Sequence, residues 1–333
     1  MDYQFNWPVY GHYKQINFLQ ELILQDKLAN AYLFYGPAGL GKKFVVDFFV
    51  RSFYCQDKKI RPCGQCQNCQ AIDKKIFLDL YKLGDREELS IDNIRLFLQK
   101  LSLSSFSANH KIAVVYGAET INLFGANALL KTLEEPPAKT TLILISDSIE
   151  NFPATLLSRC QLLKFRSLAK ESMLSWLDNF DFSVEEKNTI SNLSFGRPGL
   201  ALKIIEDDLA EFKKANSFII KLLAGSRFNY LQTIDKWFEV LKKEHPQSRV
   251  SDLGNLTKKY LAWLELILRD LLYLKLKRPL INEFYQEELT KISGDFSKED
   301  ILKNLLSLNK AKQRLNRNVS PQLLWENLFL DIK

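Results

Sequence analysis

The stretch Gly36-Pro37-Ala38-Gly39-Leu40-Gly41-Lys42-Lys43 has the residue types of a loop that holds phosphate. Gly36, Gly39 and Gly41 let backbone N–H groups close around an anion, and Lys42 can reach the terminal phosphates of a nucleotide. The next position ordinarily carries a serine or threonine, whose hydroxyl ligates magnesium. Lys43 stands there instead, and an ammonium has no lone pair for a metal. The loop is built for a nucleotide, while the ion that would make hydrolysis possible has lost a ligand.

A second motif bears on the same chemistry. Hydrolysis in such a site needs a buried strand ending in Asp and Glu, to hold magnesium and orient water. Lys111-Ile112-Ala113-Val114-Val115 reads as that strand, apolar enough for the middle of a parallel sheet. Tyr116 and Gly117 follow where the acids belong, and Glu119 lies past the expected strand end. Only a slipped strand would recover Glu119, and a one-residue slip turns every side chain to the opposite face. The expectation is no intrinsic ATP hydrolysis and no bound magnesium. Metal-free nucleotide binding stays open, because Lys42 and the loop amides can hold a phosphate by themselves.

Four of the five cysteines fall together: Cys55, Cys63, Cys66 and Cys69. Two Cys-x-x-Cys steps with an upstream cysteine supply the four thiolates of a structural zinc site, which leaves no coordination position for a reaction. No basic-then-apolar leader opens the sequence at Met1-Asp2-Tyr3-Gln4, so reduced thiols are expected in preference to disulfides. The three histidines, His12, His110 and His245, pair with no cysteine or serine in a nucleophilic arrangement. Glu134 and Glu135 look like an acid pair, yet consecutive helical residues point about 100° apart. They read as a helix end before Pro136-Pro137.

These groups need elements to position them. Apolar runs near 31–35, 78–83, 112–116, 141–145 and 161–165 alternate with helical patterns, the mark of a parallel α/β domain over residues 1–166. Lys170 to Phe180 and Val184 to Ser194 have helical spacing inside a small segment, 167–212. From 213 to 333 the pattern is helical, with long stretches at 213–243, 251–277, 297–316 and 320–332, and with Pro246, Pro279 and Pro321 at breaks or starts. Trp237, Phe238, Tyr260, Trp263 and Trp325 fall at helical spacing and read as core.

Several segments resemble the bacterial clamp-loader family of AAA+ proteins, its delta-prime branch in particular. They are Trp7-Pro8-Val9-Tyr10-Gly11-His12, Asn30-Ala31-Tyr32-Leu33-Phe34, the four-cysteine knuckle and Ile91-Asp92-Asn93-Ile94-Arg95. Downstream come Asn127-Ala128-Leu129-Leu130-Lys131-Thr132-Leu133-Glu134-Glu135-Pro136-Pro137 and Leu157-Ser158-Arg159-Cys160-Gln161. The match is close over residues 7–166 and weaker beyond, where Arg317-Asn318-Val319-Ser320-Pro321 looks like the family's C-terminal signature.

The resemblance implies an AAA+ domain with a parallel sheet, a small helical lid and an all-α collar domain. It implies a place in the clamp loader of the DNA polymerase III holoenzyme, a five-subunit ring that opens the sliding clamp and sets it on primer-template DNA. Implied partners are gamma/tau-like ATPase subunits, a delta-like subunit, the sliding clamp and DNA within the ring. In such rings an arginine from one subunit completes the neighbour's ATP site. Arg159 matches it, and a permanently charged planar fork suits charge growing on a γ-phosphate. The family's active subunits carry a sensor arginine where this chain has Gly199, in Gly196-Arg197-Pro198-Gly199-Leu200-Ala201. Arg197 comes two positions early and precedes a proline, which biases it toward an extended backbone. Ser146-Asp147 ends the strand Thr141-Leu142-Ile143-Leu144-Ile145 at a sensor position, and Asp147 would repel a phosphate.

Two other readings remain: a working gamma-like ATPase with an atypical metal site, and a zinc-knuckle DNA-binding protein outside any ring. The 333 residues allow two or three domains, and no apolar run nears a membrane span. A cytoplasmic protein is expected. The net charge of +7 divides as +1 over residues 1–215 (26 basic, 25 acidic) and +6 over 216–333 (20 basic, 14 acidic). That excess is compatible with DNA phosphates without establishing them. Clusters such as Lys275, Lys277 and Arg278, or Lys310, Lys312, Arg314 and Arg317, read first as solvated helix faces.

Overall fold

The computed structural model describes residues 4–85, 87–102, 110–150, 152–206, 209–225, 227–244, 250–282, 285–315 and 319–332. His245, Pro246, Arg317 and Asn318 lie outside them. The chain divides into two compact units, Met1–Asp181 with Ser194–Ala201, and Phe182–Leu193 with Leu202–Lys333. The segment 167–212 is shared between them.

In the first unit the elements run β1 (Gln4–Phe5), α1 (Tyr13–Gln25), β2 (Ala31–Tyr35), α2 (Lys42–Tyr54), β3 (Ile60–Arg61), α3 (Gln67–Asp73) and β4 (Leu80–Leu83). Then come α4 (Ile91–Ser102), β5 (Lys111–Tyr116), α5 (Leu123–Glu134), β6 (Thr140–Ser146), α6 (Ala154–Leu157), β7 (Gln161–Lys164) and α7 (Lys170–Leu177). Five strands form one parallel sheet in the order β4-β5-β6-β2-β7. All five apolar runs read as strands lie in it. The central strands β2, β5 and β6 are buried along nearly their whole length because both faces are covered, while the edge strands β4 and β7 keep exposed residues. Tyr32 and Phe34 of β2 pack with Leu19, Val45 and Phe49 of α1 and α2. Their neighbours Ala31 and Leu33 pack on the other face with Ile94 and Phe97 of α4 and Leu129 of α5. Each large side chain so buried contributes about 1.5–3 kcal/mol, and the period of two along β2 divides that burial between the faces.

Residues Lys111 to Tyr116 pair with Thr140 to Ile145 in unbroken register. The slip that Glu119 would need does not occur. A second, two-stranded parallel sheet joins β1 to β3, with Gln4 opposite Ile60 and Phe5 opposite Arg61. Runs of two residues carry no periodicity, and the sequence pattern did not reveal it.

The second unit is helical: α8 (Val184–Ser194), α9 (Pro198–Glu206), α10 (Leu209–Ala224), α11 (Arg227–Glu244), α12 (Val250–Lys275), α13 (Gln286–Ser293), α14 (Lys298–Leu315) and α15 (Pro321–Asp331). The first residues of α9 belong to the other unit. The pattern read as one helix over 213–243 breaks at Gly225, whose carbonyl accepts a hydrogen bond from the Tyr230 hydroxyl at 3.0 Å. Trp237, Phe238, Tyr260, Trp263 and Trp325 all join one buried cluster with the apolar side of α12. Asp270 of α12 is fully buried and accepts from Ile281 N, Asn282 N and Asn282 Nδ2 at 2.6, 2.9 and 2.7 Å, which fixes the turn beyond Pro279. Among the described residues no helix is long and apolar enough to cross a membrane.

Candidate functional site

The phosphate loop connects β2 to α2, as its flanking patterns require. Gly36 has φ 140°, and a Cβ there would lie 2.3 Å from the Phe165 carbonyl oxygen, so only glycine fits where the loop passes β7. Gly41 takes the left-handed conformation at the N-cap of α2. Lys42 is the first residue of that helix, and its ammonium turns back into the loop. It donates to the Gly36 carbonyl, to Pro37 O at 2.8 Å and to the Asp147 carboxylate at 3.0 Å. The Lys42 side chain is 4% exposed and that of Asp147 48%. The lysine expected to reach a terminal phosphate is therefore held by an internal carboxylate and two carbonyls.

Asp147 follows β6 and is held from behind, since its N–H donates to the Glu119 carboxylate at 3.0 Å. Glu119 sits in a 3-10 turn after β5, where it orients Asp147. Sequence reading found Asp147 at the sensor position and expected repulsion of phosphate; its partner, 105 residues away, was not foreseen. Lys43 lies 4.8 Å from the centre of the Tyr116 ring and 3.7 Å from Asp85. A cation over an aromatic face thus stands where a metal, a hydroxyl and two acids would otherwise meet.

Gly199 also has a reason to lack a side chain. Its N–H donates to Gly39 O at 2.8 Å, and a Cβ on Gly199 would come within 3.1 Å of that oxygen. The start of α9 lies directly on the phosphate loop, and a side chain at Gly199 would crowd it. Arg197 turns elsewhere, donating to Ser194 O at 3.3 Å and lying over Phe195. His12 closes the other side: its Nε2 lies 3.2 Å from Leu40 O and its ring packs on Phe165. Burial pushes its pKa down, the Leu40 carbonyl opposes that, and the Lys42 charge adds to the lowering.

The four cysteines converge as their spacing predicts, their sulfurs all within 4.8 Å of one another. Cys55 caps the end of α2 and Cys66 caps the start of α3. Backbone N–H groups point at the sulfurs, Cys63 to Cys55 at 3.4 Å, Cys66 to Cys63 at 3.3 Å and Cys69 to Cys66 at 3.5 Å. A tetrahedral ion with bonds of about 2.3 Å has sulfurs roughly 3.8 Å apart, so this cluster fits a metal ion with little closure. Burial resists ionisation of Cys66, but hydrogen bonds from Gln56, Cys69 and Cys63 bring its thiol down to about 7. Strand β3 lies inside the loop from Cys55 to Cys63 and holds β1, while Trp7 donates to Ser52 of α2 at 2.8 Å. The cysteine loop thereby anchors the segment that leads to His12.

Arg159 lies in the turn after α6, with its side chain 36% exposed. Its guanidinium donates to Thr155 O at 2.8 Å and contacts the Glu134 carboxylate at 3.0 Å. It is far in sequence from the phosphate loop and is not among the side chains that hold Lys42. Cys160 beside it is buried, and burial pushes its thiol up to about 12, which leaves it an unreactive packing residue.

A family described as "DNA polymerase III, delta subunit" matches residues 11–169. The delta-prime subunit of DNA polymerase III from Bacillus subtilis is 27% identical over 96% of this chain and 97% of its own length. That from Haemophilus influenzae is 30% identical over 56% of this chain and 58% of its own length. The tau subunit of Bacillus subtilis is 30% identical over 47% of this chain, though over only 28% of its own. A solved structure of a gamma-subunit-related protein from Thermotoga maritima shares the fold with a TM-score of 0.55 at 16% identity, covering 94% of this chain and 97% of the other. The chain is thus similar to DNA polymerase III delta-type subunits over residues 11–169, and to a delta-prime subunit over nearly its whole length.

Proposed function

We propose that this chain is a non-hydrolysing subunit of the clamp loader that lends Arg159 to the ATP site of a neighbouring gamma/tau-like subunit. The ring so completed would load the sliding clamp onto primer-template DNA. One observation carries the reading: Lys42 is already paired with Asp147 and with the carbonyls of Gly36 and Pro37. Phosphoryl transfer depends on cations and a metal aimed at the transferring group. Here the lysine is engaged, Lys43 lies over Tyr116, and Tyr116 and Gly117 stand at the positions the two acids would hold. Arg159, by contrast, reaches the surface with a planar, cationic fork. In a partner's active site such a charge can lower the barrier by several kcal/mol, since trans arginines raise turnover by about 10³–10⁵.

Cys55, Cys63, Cys66 and Cys69 hold zinc in this reading. Four thiolates close its coordination, so the ion staples the loop after α2 and takes no part in chemistry. Reduced thiols of this kind suit the cytoplasm.

The test is reconstitution with candidate ATPase subunits, the clamp and primed DNA. The purified chain alone should release no phosphate from ATP. Arg159→Ala should leave it folded yet lower ATP turnover of the assembled ring at least tenfold, and unchanged turnover would remove the trans arginine. The likeness to tau subunits favours a second reading, an active gamma-like ATPase. Hydrolysis by the chain alone, abolished by Lys42→Ala, would establish that alternative.

A further inference from the structure

Arg159 does not hang free from its turn. Its Nη1 donates to Thr155 O at 2.8 Å and lies 3.5 Å from the Ser158 hydroxyl, and its Nη2 meets Glu134 Oε1 at 3.0 Å. Thr155 and Ser158 are local, four residues and one residue away, and follow from the helical turn of α6. Glu134 comes from a different element: it is the last residue of α5, ahead of Glu135 and Pro136. A carboxylate at a helix C-terminus faces the negative end of the helix dipole, an unfavourable place for it. Lys131 in the same last turn offsets part of that. The arginine across the gap is the group that makes an acid useful at this position.

Building on the proposed trans role of Arg159, we propose that Glu134 is a positioning residue that fixes the direction in which the guanidinium leaves the surface. A guanidinium has five N–H donors in one plane. Nη1 is engaged by Thr155 and Ser158 and Nη2 lies against the Glu134 carboxylate, while Nε–H makes no hydrogen bond among the described residues and is left for an incoming phosphate. A free side chain would enter the neighbour's site in many rotamers, and ordering it there would raise the barrier. An arginine held at two points arrives already ordered. Glu135, the next residue, is exposed and leaves the helix with φ −125° and ψ 72°, so it supplies a control.

The experiment uses the reconstituted ring, with kcat and KM for ATP measured separately. Glu134→Gln should lower kcat by roughly three- to thirtyfold with KM unchanged, while Glu134→Asp recovers part of the loss and Glu135→Gln changes nothing. In an Arg159→Ala ring, Glu134→Gln should have no further effect, because the glutamate acts only through the arginine. The isolated Glu134→Gln chain should melt where the wild type does, as befits an exposed ion pair. If Arg159→Ala lowers turnover and Glu134→Gln leaves it unchanged or raises it, the positioning role is overturned while the trans arginine stands. An equal effect of Glu134→Gln in both backgrounds would also overturn it. Should Arg159→Ala itself have no effect, the underlying reading of Arg159 is what fails.

Discussion

Replacing Asp147 with alanine should open the phosphate loop to an external anion. In the wild type the ammonium of Lys42 is nearly sealed from water and has three acceptors, of which only Asp147 carries charge. A hydrogen bond to a charged group is worth about 1.5–3 kcal/mol. The half-exposed carboxylate of Asp147 is partly screened, which puts the loss on truncation nearer to about 1–2 kcal/mol. For a protein of this size that is a fall in Tm of roughly 2–8 °C, at about 2–4 °C per kcal/mol. The vacated place suits a polyphosphate, because Lys42 and the start of α2 remain. At a concentration about a hundredfold above Kd, a ligand that binds only the folded chain contributes about 2.7 kcal/mol. Inorganic tripolyphosphate without added magnesium should therefore return the Asp147→Ala protein to the wild-type Tm or above, and leave the wild type itself unmoved. Calorimetric titration of both proteins checks the same point directly. Lys42→Ala in the Asp147→Ala background should abolish the binding. Equal affinity in wild type and variant would refute the reasoning, since Asp147 would then not occupy the anion's place. So would a variant that binds nothing.

The other expectations concern the metal, the histidine and the surface arginine. Metal analysis should find about one zinc per chain, the stoichiometry of a single four-thiolate site, and chelation or Cys63→Ser should unprotect the amides of Gln4 and Asn6, which bond to Lys59 and Arg61 inside the cysteine loop; a metal-free protein with those amides still protected would count against the site. His12 has its pKa lowered in the fold, so its neutral form is the one folding favours. That contribution is fully present above the unfolded value of about 6.5 and is lost as pH falls through the lower folded value. His110 shifts the same way and titrates in the same window, so the measurement is a difference: denaturant midpoints of wild type and His12→Asn between about pH 7 and 5 should converge as pH falls. Parallel curves would remove His12 from the account. Turnover of rings carrying Arg159→Ala or Glu134→Gln completes the set.

Much of this molecule could be read from its residues because the signals are local. The strands at 31–35, 112–116 and 141–145 are uninterrupted apolar runs, and a doubly covered sheet leaves them no other composition. The cysteine spacing gathers its own sulfurs within a short loop, so sequence distance nearly equals spatial distance. Missing groups were as informative as those present, since Lys43 and Tyr116 cannot ligate magnesium wherever the backbone takes them. What escaped was pairing across the chain. β1 and β3 are too short for any period, and their partnership is set by the tertiary course of the chain after α2. Gly225 breaks a pattern that continues through it in hydrophobicity, because the periodicity of an amphipathic helix does not register a turn between two helices of similar phase.

The pairings of Lys42 with Asp147 and of Arg159 with Glu134 share a cause for having been missed. Each joins residues whose own neighbourhoods suggested a different role: Asp147 as a group that repels phosphate, Glu134 as a helix terminus. Both descriptions remain true, and the pairing adds to them. A carboxylate that would repel a γ-phosphate is by the same charge a substitute for one, once an unneutralised lysine lies within reach. An acid that sits poorly at a helix end becomes useful once a fixed cation stands opposite. The two arginine and lysine sites then differ in what their acids do. Asp147 satisfies a cation sealed within its own loop, which closes that site to others. Glu134 meets a cation that stays exposed, which in the proposed reading leaves it to serve another molecule. Burial of the cation, 4% exposed in one case and 36% in the other, decides whether an internal carboxylate retires a positive charge or aims it.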